Sequence, residues 1–437
     1  MPGAPNAAGP YAPQDTYSEA QNLTDLLDLL THQAQSELGN TAGSIFFFGD
    51  GLQRALTDGF FDLFSPKTWT PANILRLSSQ TVQQTIQLSR LLAPGQANLA
   101  WQELRNKLEV FTNVRNLSAN LKLPPGKFIP LAELVDKAYS LSPFLALWAV
   151  EGLGHDYTDR YWENKGIPNG LLSEEQAPVP AKSLLMLHAG MGLSFADRLL
   201  GHLNPDDPST PLTHATVEQF VSLCRNNSRK GYLGAAIESL GLQTRVFYPD
   251  LLNVVHQQLQ QIAPDLTGFF WHGAGRALYF SREYFLPGLT TVWSGIDEEA
   301  RSCPDRESAM AGLAWALTLV NMRQPAIVEH ALRSYTQDAS LARGFANGVA
   351  SSIIMRQDTT PDEPFISAFY QHRPDPSVPQ SVEMWTRFIL GPTQLALQKY
   401  YPALKQHDAL DQVFRYQDLA ALVGSLQNQG AVAQIAS

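Results

Sequence analysis

Cysteine is almost missing from this chain. Cys224 and Cys303 are the only two in 437 residues, they lie far apart, and neither belongs to a CxxC pair. A disulfide framework or a thiolate cage needs more than that, so two buried thiols in a reducing compartment are expected. Charge is scarce too, at 16% of residues, and the formal net charge is −10. No Lys/Arg cluster is present to neutralise phosphates, so nucleic acid is not an expected partner. Long apolar runs are also lacking. The least polar stretches, residues 143–153 and 309–320, fall short of the roughly 20 residues that cross a bilayer. The amino-terminal MPGAPNAAGPYAPQ has neither the basic region nor the apolar run of a signal peptide. No membrane span and a cytoplasmic location are therefore expected. Familiar catalytic signatures do not occur: there is no Gly-x-Ser-x-Gly elbow, P-loop, HExxH, ExxH pair or DDxxD, and neither cysteine has a histidine nearby.

What the chain does have is apolar residues at helical spacing. They make up 44% of it, and period-two alternation with β-branched residues is rare, so a mostly α-helical fold is expected. The length suggests about two to three domain-sized units.

The most informative feature is a repetition. Residues 145–162 read LALWAVEGLGHDYTDRYW, and residues 266–285 read LTGFFWHGAGRALYFSREYF. Aligning Gly152-Leu153-Gly154 with Gly273-Ala274-Gly275 gives an offset of 121 (273 − 152), which lays Glu151 on His272 and His155 on Arg276. Further matches run in the same order: Gly190 with Gly312, Val217-Glu218 with Val328-Glu329, and Lys230-Gly231-Tyr232 with Arg343-Gly344-Phe345. Four collinear matches with small changes of offset point to a duplication.

The organisation that follows is a Pro/Gly/Ala-rich tail at 1–16, a helical region at 17–125, two tandem pseudo-symmetric helical units at 126–248 and 249–357, and a carboxy-terminal helical cap at 358–437. Pro124-Pro125-Gly126 breaks the chain before the first unit, and a turn-rich stretch after Met355 precedes the cap. Helices are expected at about 71–92, 98–111, 131–139, 143–163, 183–200, 215 onward, 231–240, 250–263, 266–285, 309–322, 380–389, 392–405 and 414–427.

A glycine inside a helix costs about 0.5–1 kcal/mol against alanine, so G-x-G on a helix needs a reason. Close packing is one, with Gly190, Gly192, Ala311 and Gly312 as the facing small residues. Room for a ligand across the helix is the other. No strand precedes either G-x-G, which excludes a dinucleotide fingerprint.

Glu151, His155 and Asp159 stand at i, i+4 and i+8 on one helical face, and His272, Arg276 and Glu283 share a face in the second copy. A pseudo-two-fold axis would bring these faces together, with Glu151 opposite Arg276, His155 and His272 beside them, and His188 as a fifth member. Three readings remain open. The first is a buried ion-pair network that pins the two halves. The second is an acid–base site in which a histidine or Glu151 titrates near neutrality and Arg276 holds negative charge. The third is a transition-metal site in which Glu151, His155, His188 and His272 supply oxygen and nitrogen ligands. Asp156, Tyr157, Arg160, Tyr279 and Arg282 flank the same helices, and residues 204–207 (Asn-Pro-Asp-Asp) read as a turn.

Residues 179–196, VPAKSLLMLHAGMGLSFA, together with WAVEGLG at 148–154, resemble the bacterial domain-of-unknown-function 1702 family. The resemblance implies a repeated layout of Gly-rich helices over about residues 130–370, a setting in natural-product gene clusters, and Glu151, Gly152, His188 and Gly190 as family positions. His155-Asp156 departs from the small or apolar residues that the family carries there. The functional expectation is an enzyme acting on a hydrophobic, polyene- or acyl-like small molecule bound between the units. A non-catalytic carrier or scaffold is the alternative. Oligomeric state is not legible in the sequence.

Overall fold

The computed structural model describes residues 99, 102–107, 109–110, 129–175, 177–201, 214–281, 292–300, 302–335, 338–378 and 380–436. The expected tail at 1–16 and all but a few residues of the region at 17–125, including its predicted helix at 71–92, lie outside them.

The described residues contain helices and no strand. In chain order they are α1 (Leu131–Leu141), α2 (Pro143–Lys165), α3 (Leu184–Leu200), α4 (His214–Asn227), α5 (Leu233–Phe247), α6 (Leu252–Ile262), α7 (Thr267–Phe280), α8 (Val292–Glu299), α9 (Cys303–Asn321), α10 (Pro325–Tyr335), α11 (Ala339–Thr359) and α12 (Pro364–Tyr370). A run over 381–406, α13, and a last helix, α14 (Leu419–Ala436), complete the chain. None of these helices is long and apolar enough to cross a membrane.

Local chemistry sets several of the helix starts. Ser142 accepts the Leu145 N–H ahead of Pro143, which opens α2. Asp338 accepts the N–H groups of Ser340 and Leu341 at the start of α11.

Six helices form a row in which each packs on the next: α2 on α3, then α5, α7, α9 and α11. The row bends back on itself. Arg356 of α11 donates to the Phe144 carbonyl oxygen of α2, and the Phe144 and Phe365 rings meet edge to face. Helices α3, α7 and α9 are buried on nearly every side, as internal elements of a bundle must be.

The glycines allow the row to be this tight. A Cβ on Gly154 would sit against the Leu187 carbonyl oxygen, and one on Gly190 against that of Glu151. The second Gly-rich pair crosses the same way, with Gly275 against Ala309 and Gly312 against His272. All four approaches are far inside van der Waals contact, so these crossings exclude any side chain.

The carboxy-terminal run differs from its sequence prediction. Two helices, at about 380–389 and 392–405, are expected, but α13 runs continuously through both Pro392 and Pro402. Each proline follows a π-helical turn, Thr386–Leu390 and Ala396–Tyr400. The wider turn accommodates the missing N–H and the ring without ending the helix.

Candidate functional site

Four ionisable side chains meet in the interior of the row. Glu151 comes from α2, Glu238 from α5, and His272 and Arg276 from α7, one turn apart on the same face. Gly273 and Gly241 bring α7 and α5 close enough for the shared contacts to form. Arg276 donates through Nη2 to both oxygens of Glu151, at 2.6 and 2.8 Å. Its Nη1 donates to Glu238 Oε2 at 3.2 Å, and the other Glu238 oxygen lies 3.3 Å from His272 Nδ1. All four side chains are buried.

Two aromatic rings border the cluster. The Arg276 guanidinium lies 5.0 Å from the Trp315 ring, and the His272 ring contacts Trp315 and Phe414 edge to face at 5.8 and 6.0 Å. Phe414 belongs to the short helical turn Leu410–Phe414 after α13. Asp411 fixes that turn by accepting the Gly234 N–H at the start of α5.

Charge and burial compete throughout the cluster. Burial would raise Glu238, but Arg276 and His272 outweigh it and hold the carboxyl below its usual range. Burial lifts Glu151 despite Arg276. Both Glu151 oxygens nevertheless accept from one guanidinium nitrogen, the arrangement of an ionised carboxylate. Burial also lowers His272, more than the Glu238 hydrogen bond raises it, so the imidazole is held neutral. Arg276, which burial alone would lower, is raised by the two carboxylates.

An ionised carboxylate accepts only, so His272 Nδ1 carries the ring proton and Nε2 presents a lone pair. That Nε2 is buried and has no hydrogen-bond partner among the described residues. Two carboxylates then face one guanidinium, and the cluster becomes electrically neutral when Nε2 takes up a proton.

Of the sequence-predicted residues, Glu151, His272 and Arg276 are brought together. His155 and His188 are not. His155 lies one turn outward on α2, a third exposed, and pairs with Asp159 at 3.3 Å. His188 is fully buried, with Nδ1 donating to the Leu184 carbonyl oxygen at 2.7 Å and Nε2 accepting the Arg229 N–H at 3.0 Å. Its ring stacks on Tyr232 at 5.1 Å, and burial pushes its pKa down to about 3.

With both His188 nitrogens engaged and His155 turned outward, the metal reading of Glu151, His155, His188 and His272 fails on placement. Among the described residues no three His, Cys, Asp or Glu side chains converge as metal ligands. Asp156 and Arg160 form a surface pair, and Tyr279 is buried, accepting from Asn321 Nδ2 at 2.7 Å. Arg282, Glu283 and residues 204–207 lie outside the described residues.

Sequence reasoning missed Glu238, the carboxylate that both His272 and Arg276 share. The available signal was a lone acid inside the small, apolar run LGAAIESLG at 233–241. No family model, curated protein or solved structure matches the chain.

Proposed function

We propose that this chain is an enzyme that carries out acid–base chemistry on an apolar small molecule bound at the interior seam, with His272 as the base. One observation carries the reading, the unpartnered Nε2 of His272. Leaving a buried polar atom unsatisfied costs about 1–3 kcal/mol. His188 is an internal control: equally buried, it has a partner on each nitrogen, as a structural histidine does. In the proposed step Nε2 accepts a proton from the ligand, Glu238 supports the imidazolium, and the proton returns to another ligand atom. Arg276 keeps both carboxylates ionised around it.

The architecture behind this reading is a tandem duplication, with units at 126–248 and 249–357 and a helical cap at 358–437. Its support is that the two glycine crossings recur at matching spacing: Gly154 and Glu151 recur as Gly275 and His272, and Leu187 and Gly190 as Ala309 and Gly312. The natural-product setting rests on the family resemblance of residues 148–154 and 179–196 alone. A non-catalytic carrier is the second reading, favoured by the Glu151–Arg276 bridge, which ties α2 to α7 whether or not chemistry occurs.

The test is turnover of lipophilic compounds extracted from the source cells, with wild type and His272→Asn compared by mass spectrometry. The enzyme reading expects at least one compound to be converted by wild type and left intact by the variant at an unchanged thermal midpoint. No conversion by either of two equally stable proteins would favour the carrier, and equal conversion by both would remove His272 as the base.

A further inference from the structure

Arg356 is fully buried in α11, and among the described residues no carboxylate is paired with it. Its Nη1 donates to the Phe144 carbonyl oxygen at 2.9 Å, while Nη2 reaches the Leu319 carbonyl oxygen only at 3.5 Å, the outer limit of a hydrogen bond. Among the described residues the Nε–H has no partner. Nε and Nη2 form the side-on edge of a guanidinium, with two parallel N–H groups that match the two oxygens of a carboxylate. That edge is therefore the unsatisfied one.

The surrounding acids are engaged elsewhere. Asp358 binds Tyr401 and Lys405 through Oδ1, its buried Oδ2 forming no ion pair with Arg356, and Glu109 binds Arg323. Aromatic rings enclose the cation, with Phe144, Trp148 and Phe365 at 4.5, 4.8 and 5.2 Å. Cation–π contacts and the carboxy-terminal carbonyls of α9 offset part of the desolvation cost, but a buried cation without a counter-ion remains an anomaly. Burial and the neighbouring Arg323 push its pKa down to about 9.

The position connects Arg356 to the acid–base cluster. Trp148 is three residues from Glu151 on α2, and Leu319 is four residues from Trp315 on α9. At about 1.5 Å per helical residue the two centres lie roughly one to two turns apart. Two further buried hydroxyls without partners among the described residues, Thr318 and Ser351, precede Leu319 and Arg356 along α9 and α11.

We infer that the side-on edge of Arg356 receives the carboxylate of an otherwise apolar ligand, which makes the substrate class a hydrophobic monocarboxylic acid. The inference rests on the proposed reading that an apolar molecule occupies this seam. A planar carboxylate would take up the unpartnered Nε–H and the weakly held Nη2, and add one negative charge. A phosphate monoester would leave oxygens unsatisfied among aromatic rings.

The test is calorimetric titration of the full-length protein with decanoate below its micellar range, with decanol and decyl phosphate as comparisons. Wild type, Arg356→Met, Arg356→Lys and His272→Asn are titrated. The expected result is a single saturable decanoate site, with decanol and decyl phosphate at least about tenfold weaker. Both Arg356 variants lose at least about tenfold, because lysine keeps the charge but not the edge. Decanoate also raises the thermal midpoint of wild type, a readout that survives a poorly folding variant. Equal binding of decanol, tighter binding of decyl phosphate, undiminished binding by Arg356→Lys, or no decanoate binding would each overturn the inference. His272→Asn separates the two proposals: if it binds decanoate like wild type and neither protein turns over any compound, the carboxylate site stands and the acid–base reading falls.

Discussion

His188 and His272 are both fully buried, yet they have opposite surroundings, and pH distinguishes what each contributes. The folded state keeps His188 neutral down to about pH 3, while an unfolded histidine protonates near pH 6.5. The unfolded chain therefore takes up the proton first, and the stability held by a neutral His188 is lost as pH falls through that window. Between pH 7 and pH 5 the loss from this one group is about 2 kcal/mol. Urea unfolding at the two pH values should show a loss smaller by about that amount in His188→Gln, and an unchanged pH dependence would refute the assignment. The cluster gives a second contrast. Arg276→Met leaves two buried carboxylates without a cation and should cost about 3–5 kcal/mol. Glu151→Gln keeps Arg276 paired through Glu238 and should cost less in the same denaturation assay.

At the level of helices, the account depends on backbone contact at the glycine crossings. Gly275→Ala and Gly312→Ala each place a methyl group against a carbonyl oxygen of the neighbouring helix, which cannot retreat as a flexible side chain can. Each should cost about 3 kcal/mol or more in thermal melts. A methyl group on Gly424 in α14 would meet nothing within 4 Å, so Gly424→Ala should stabilise by about 0.5–1 kcal/mol. Equal effects at the three positions would remove the packing argument. Much of this level was legible beforehand. Apolar spacing and glycine placement located most helices between 131 and 281, but they gave no sign of α8, ended α5 seven residues early and began α9 six residues late. Of the facing small residues, Gly190 and Gly312 meet the G-x-G helices, whereas Gly192 meets Ala236 of α5 and Ala311 meets Gly348 of α11. The continuous α13 was not legible, because proline signals a break unless a π turn absorbs it, and that choice depends on tertiary packing.

For the molecule as a whole, the decisive fact is how the row of helices bends, which brings α2 beside both α7 and α11. Pairing the repeated faces was enough to set Glu151 opposite Arg276. It misplaced His188, because helical phase alone does not show that α3 turns that side chain toward Arg229 and Tyr232. Glu238 is a single charged residue in an apolar run and Arg356 ends one, and their roles exist only once non-adjacent helices meet. The segment Leu410–Phe414 closes the assembly over His272. Phe414→Ala should cost about 3–5 kcal/mol in denaturant unfolding. By admitting water it should also move the His272 titration up toward the value of an exposed histidine.

The most direct measurement is nitrogen-15 NMR of the histidine side chains across pH 5 to 8, with His272 assigned from the His272→Asn spectrum. The account predicts a neutral His272 at pH 7, protonated on Nδ1 and bare on Nε2. A His272 that carries a proton on Nε2 at pH 7, alone or on both nitrogens, would contradict it.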